Sequence, residues 1–194
     1  MMLRSLRGAQ VKGTLFLTMA MFASCATHPG PETARVSFYR NIHHVQFEYP
    51  SSWQLEDMSK NYGSLDEAEK EGSSYIQVYS YDPMNVPDPS DAVSPGRIKI
   101  AILFRRNLDN LDYSKVLAQM QNRILERTAF RVNGRDGYEL LYWITNEETS
   151  EKMKVLSIEY LDQDLYVRFL CYPWNSAYLK EFEALAKSFR YKGK

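Results

Sequence analysis

The sequence predicts an α+β domain built as an antiparallel β-sheet flanked by α-helices. Three observations predict it. Short runs of period-two apolar/polar alternation recur across residues 36–171, two stretches of helical period interrupt and close that series, and the later runs are joined by loops too short for parallel crossovers. With 194 residues, 44% apolar and 25% charged, the chain has the composition of one ordinary globular domain. Its 24 basic and 24 acidic side chains give no electrostatic case for nucleic acid. Two cysteines, Cys25 and Cys171, exclude a disulfide scaffold and a structural zinc module.

Val36-Ser37-Phe38-Tyr39 and Val45-Gln46-Phe47-Glu48-Tyr49 read as two strands around a turn at Arg40-Asn41, the second ended by Pro50. Ser64-Leu65-Asp66-Glu67 fits a capping box, so residues 65–71 predict a short polar helix stopped at Gly72. Residues 74–81 alternate, with Tyr75, Gln77, Tyr79 and Tyr81 on one side and Ile76 and Val78 on the other. Residues 97–105 place Ile98, Ile100, Ile102 and Phe104 on a single face. The loop between, 82–96, holds four prolines and no period, a length usually kept for function or mobility.

Over residues 112–126 the period changes: Tyr113, Val116, Leu117, Met120 and Ile124 predict an amphipathic helix begun by Asp112. Thr128, Phe130 and Val132 then alternate, Asn133-Gly134 and Asp136-Gly137 offer residues tolerant of positive φ, and residues 138–145 run back as a strand. Residues 154–160 and 165–171 make a further hairpin around Asp162-Gln163-Asp164. After Pro173-Trp174-Asn175, the spacing of Tyr178, Phe182, Leu185, Ala186 and Phe189 predicts a second helix. No internal repeat or second linker divides residues 36–194, which are expected to form one domain.

The N-terminus reads as an address. Residues 1–24 carry Arg4, Arg7, Lys12 and no acid, leaving 21 basic against 24 acidic side chains in the remainder. The apolar run over 14–23 is about half of the ~20 residues that span a bilayer as a helix. A basic stretch, a short apolar stretch and small residues make the layout of a secretory signal. Phe22-Ala23-Ser24-Cys25 resembles the lipobox of bacterial lipoproteins, with Phe22 where Leu is usual. That resemblance implies cleavage before Cys25, diacylglycerol on its sulfur and a further acyl chain such as palmitate on its amine. Ala26 is not the Asp that resembles an inner-membrane retention signal, so the periplasmic face of an outer membrane is favoured in a Gram-negative cell. Residues 25–35 would then be a tether of at most ~35–40 Å, at ~3.3–3.6 Å per residue.

Val45-Gln46-Phe47-Glu48-Tyr49-Pro50-Ser51-Ser52-Trp53 resembles the opening motif of the PsbP-like fold. This group includes the extrinsic protein of photosystem II, a Ran-binding nuclear-transport factor and many bacterial lipoproteins. The central helix, the hairpin around Asn133-Gly134-Arg135-Asp136-Gly137-Tyr138 and the closing Lys187-Ser188-Phe189 match its layout. The resemblance implies an antiparallel sheet between helices, an α/β/α sandwich, and carries no active site. Independently of it, Pro50 turns the chain away from helix, and Trp53 is placed to cover the core at the strand's end.

Few residues bear on chemistry. His43 and His44 point to opposite sides of extended chain and lack further ligands at metal spacing, and His28 falls in the tether. Cys171 shares a face with Leu165, Val167 and Phe169 and reads as a buried small hydrophobe. Asp82, Asp88 and Asp91, with Asn85, lack the spacing of a calcium loop. Neither cofactor nor metal is expected. The 14 tyrosines read either as a stacking surface or as rings packed under helices with hydroxyls at the rim.

The expected function is a membrane-anchored cell-envelope lipoprotein acting as a non-catalytic protein-binding or assembly module. Its expected surface is loop 82–96 with adjoining strand ends: Tyr75, Tyr79, Tyr81, Pro83, Val86 and Pro87. Two alternatives stay open, a small-ligand carrier using a pocket between sheet and helix, and an extracytoplasmic hydrolase assembled from scattered acids and His44.

Overall fold

The alternation seen in the sequence sorts side chains onto the two faces of a sheet, and the chain is folded around that sorting. The computed structural model describes residues 34–40, 45–57, 74–85, 94–107, 110–120, 123–145, 150–163 and 165–191. The expected signal stretch, Cys25, His28, the His43-His44 pair, the helix expected at 65–71, and Val86, Pro87, Asp88 and Asp91 lie outside the described residues.

Ten strands and two helices are described: β1 (Arg35–Arg40), β2 (Val45–Pro50), β3 (Gln54–Asp57), β4 (Ser74–Tyr79), β5 (Lys99–Arg106), α1 (Tyr113–Met120), β6 (Ile124–Val132), β7 (Arg135–Thr145), β8 (Lys152–Leu161), β9 (Leu165–Tyr172), α2 (Leu179–Lys187) and β10 (Arg190–Tyr191). Seven strands form one sheet in the order β3-β4-β5-β9-β8-β7-β6, and β1-β2-β10 form a second; every pairing is antiparallel. The fold is α+β, the class read from the sequence.

One face of the seven-stranded sheet is dry. Ile76 and Val78 of β4, Ile100, Ile102 and Phe104 of β5, and Val167, Phe169 and Cys171 of β9 are at most 1% exposed. They pack against Phe182, Leu185 and Ala186 of α2 and Val45 and Phe47 of β2. Tyr160 joins sheet to helix through its hydroxyl, which donates to the Ala186 carbonyl at 3.0 Å. Trp53 closes the end of this core, buried and edge-on to Tyr178 at 5.7 Å between ring centroids.

The opposite face carries α1. Its first turn is capped as expected: the Lys115 amide donates to Asp112 Oδ1 at 2.9 Å. The helix is shorter than its periodicity predicts, however. Ile124 continues the apolar spacing but starts β6, where it pairs with Tyr142, and a bulge between Ile124 and Glu126 absorbs the change of period. Cross-strand pairing outweighs helical period there.

Of the other local expectations one holds and two change. Asn133 and Gly134 have φ of 56° and 79°, the left-handed pair a tight hairpin needs. Gly137 instead sits in extended chain; a Cβ there would lie 2.5 Å from the Phe130 ring and 2.9 Å from the Glu159 carbonyl oxygen, so close approach requires it. The second helix ends at Lys187, and Arg190–Tyr191 turn back as β10 to pair with β2, a strand that two residues give no periodicity to announce.

Candidate functional site

On the expected surface Tyr79 and Tyr81 are packed against neighbouring side chains. Tyr75 lies on β4 opposite Leu103. Tyr79 is only 6% exposed; its hydroxyl meets Gln77 and Glu56, its ring is edge-on to Tyr81 at 5.5 Å, and the Lys99 ammonium stands 5.8 Å above it. Burial lowers the proton affinity of Lys99, opposed by Glu56. Tyr81 is half-buried under the Arg97 guanidinium at 5.4 Å, and burial raises its hydroxyl pKa against the opposing Arg97 charge. Arg97 Nη1 is buried with no hydrogen-bond partner among the described residues. These rings are largely spent on one another. Pro83 opens a 3₁₀ turn, Pro83–Asn85, whose amides and side chain are held by Asp82: Met84 N and Asn85 Nδ2 donate to its carboxylate at 3.0 and 2.5 Å. Asp82 is thus a turn-former. Met84 remains 89% exposed.

A different site lies on the α1 face of the sheet. Strand register aligns Leu103 and Arg105 of β5 with Arg168 and Tyr166 of β9, and Tyr142 and Ile144 of β7 complete a floor on the same face. α1 covers only part of it. Between Val116, Gln119 and Met120 of the helix and that floor runs a groove of about 390 Å³, with Arg123 at its edge. Small-ligand sites typically occupy ~300–1,000 Å³ and combine apolar walls with a few placed polar groups.

The groove is fixed beneath and at one end. Glu159 on β8 is wholly buried, with three donors: Ser157 Oγ at 3.0 Å and Arg168 Nε at 3.1 Å onto Oε1, and the Tyr166 hydroxyl at 2.5 Å onto Oε2. Arg168 Nη2 donates to the Tyr142 hydroxyl at 2.5 Å. A buried carboxylate is tolerated only with such satisfaction. Burial opposes the Arg168 charge, but Tyr142, Glu159 and Tyr166 outweigh it and raise its proton affinity. Tyr166 and Tyr142 are held protonated, mainly by burial, with Glu159 acting in the same direction. At α1, the Tyr113 hydroxyl donates to the Glu159 carbonyl at 3.0 Å and accepts from the Leu161 amide at 2.7 Å. Asn107, 7% exposed, secures the preceding loop through both Leu111 backbone groups and the Asp162 carbonyl. Helix position is therefore set before any ligand arrives.

Sequence reasoning missed this site, although one signal was present. Glu159 and Arg168 sit at facing positions of one hairpin, each in a strand apolar on both faces. A charge in such a strand calls for a partner, and hairpin register names it. No local pattern joins Arg105 and Arg123 to them.

Cys171 is buried as expected, and burial alone pushes its thiol up to about 12. Among the described residues no three His, Cys, Asp or Glu side chains gather as metal ligands, and no helix is long and apolar enough to cross a membrane.

No family model and no curated protein matches the chain. Among solved structures it is similar to cyanobacterial PsbP (CyanoP) from Synechocystis, at 11% identity and a TM-score of 0.49, over 88% of this chain and 99% of that one. It is also similar to LpqN of Mycobacterium tuberculosis, described as involved in cell envelope biogenesis, at 11% identity and a TM-score of 0.46, over 86% of this chain and 88% of that one. A Pseudomonas aeruginosa protein of unknown function is similar at 9% identity and a TM-score of 0.44, over 82% and 99%. Each is a likeness over most of this chain's length, and none bears on what the groove holds.

Proposed function

We propose that this chain is a bacterial cell-envelope lipoprotein, anchored through Cys25, whose folded part binds a small ligand between α1 and the seven-stranded sheet without catalysing a reaction on it. One observation carries the ligand reading: a groove of about 390 Å³ stands over Arg168, held by a fully buried Glu159. Glu159 is saturated by its three donors, and among the described residues lining the groove nothing pairs a nucleophile with a base. That arrangement suits holding and releasing a molecule. The anchor rests on the Phe22-Ala23-Ser24-Cys25 sequence. Two or more acyl chains, at ~0.8 kcal/mol per buried methylene, would keep the protein on its membrane.

The test has two arms. Native mass spectrometry and thermal melting of the purified chain should reveal a copurifying small molecule, or one that raises the melting temperature as it saturates the groove. Replacing Cys25 by Ser should abolish fatty-acid incorporation and move the protein out of the membrane fraction; retention of both in the variant contradicts the anchor. A second reading, docking of a protein partner at loop 82–96, is favoured by the 89% exposure of Met84 beside Pro83. Crosslinking from position 84 in cells, compared with a distant surface position, separates it from ligand carriage.

A further inference from the structure

We infer that the groove selects organic anions: a carboxylate or phosphate head held by Arg105, Arg123 and Arg168, with an apolar chain or ring along Leu103, Val116, Met120 and Ile144. This rests on the groove being a ligand site and names the chemistry that site takes.

Charge gives the first reason. Among the described residues three guanidinium groups line the groove and no carboxylate does. Glu159, buried below, compensates Arg168. Among the described residues neither Arg105 nor Arg123 has a carboxylate partner. The site therefore carries positive charge left over after its own pairing, and an anion supplies what is missing.

Orientation gives the second. Arg168 has Nε committed to Glu159 and Nη2 to Tyr142, while Nη1 has no partner among the described residues and the side chain keeps 29% exposure. Arg168 lines the groove with its guanidinium already held by two bonds, so little rotamer freedom is lost on binding. The Arg105 guanidinium lies 5.0 Å over the Tyr166 ring, which restrains it at the rim. Gln119 adds an amide on the helix side.

The walls give the third. Leu103, Val116, Met120 and Ile144 offer an apolar strip beside the cations, so a bare inorganic ion would use only half of the groove. An amphiphilic anion uses both halves. Such a head can come from a free acid or phosphate ester, or from a lipid of the membrane.

The test is calorimetric titration of the full chain with decanoate and decyl phosphate against decanol, which has the same chain and no charge. Decanoate and decyl phosphate are expected to bind at least tenfold tighter than decanol, less so as salt is raised. The paired substitution Arg105→Ala and Arg123→Ala should erase that preference with the melting temperature unchanged, both side chains being exposed. Arg131→Ala, on the β6–β7 hairpin, should leave it intact. Vesicles of phosphatidylglycerol form the lipid arm: binding lost with the same pair places the head on a membrane lipid, and binding of the free amphiphiles alone places it on a soluble molecule. Decanol binding as tightly as decanoate overturns the anion inference and leaves the ligand site standing. If none of the three binds, the ligand site falls as well.

Discussion

Alternate residues of β9 look into two different environments. Val167, Phe169 and Cys171 are sealed against α2 and the three-stranded sheet, whereas Tyr166 and Arg168, from the same strand, join a hydrogen-bonded group under an open groove. Helix coverage makes the difference. α2 brings Phe182, Leu185 and Ala186 wholly out of water, while only Val116 of α1 is buried. The comparison teaches that one strand can serve stability with one half of its side chains and binding with the other, since period two keeps the halves apart.

The largest effect should come from the dry face. Phe169 is fully buried against the rings of Phe47, Tyr160 and Phe189. Phe169→Ala should cost about 3–5 kcal/mol in urea denaturation, and a cost below 1 kcal/mol would mean that this face is not the core. Glu159→Gln keeps the shape beneath the groove but loses the charge that three donors address. It should cost about 1.5–3 kcal/mol, with a double-mutant cycle against Arg168→Met showing strong coupling. Gly137→Ala should cost about 1–3 kcal/mol, because the new methyl meets the Phe130 ring; adding Phe130→Leu should recover part of it.

A pH scan probes both faces together. Burial pushes Tyr160 on the dry face and Tyr172 on the groove face up to about 12, from an ordinary 10.0. The unfolded chain releases these protons first, so their contribution is complete below pH 10 and lost as pH rises towards 12. Tyrosinate absorbance near 295 nm should lag behind that of free tyrosine and then rise together with unfolding; a simple titration centred on pH 10 in the folded protein contradicts the burial. The smallest effect should be that of Arg105→Ala, within about 0.5 kcal/mol of the parent, since a rim side chain adds little to folding.

The dry face was legible because its residues follow period two without exception from Ile98 to Phe104 and from Leu165 to Cys171. The cap at Asp112, the Asn133-Gly134 turn and the burial of Trp53 were legible too, each being a local consequence of side-chain chemistry. The end of α1 was not: Ile124 satisfies both periods, and the choice is made by Tyr142, a residue 18 positions on. β10 needs β2 to exist at all. The groove was beyond reach for the same reason in stronger form. Sheet order puts β5 beside β9 and β7 beside β8, and only that order brings Arg105, Arg168 and Tyr142 under one helix. Tyr79 shows the converse error, a residue read as surface from its strand alternation that packs instead beneath Lys99 and Tyr81.

The division of the sheet into a structural face and a binding face is tested most directly by methyl-resolved NMR of the full chain during titration with decanoate. The methyl signals of Leu103, Val116, Met120 and Ile144 should shift together and saturate, while those of Ile76, Ile100, Ile102 and Val167 stay in place. Shifts spread over the second set, or confined to residues around Met84, would contradict the account.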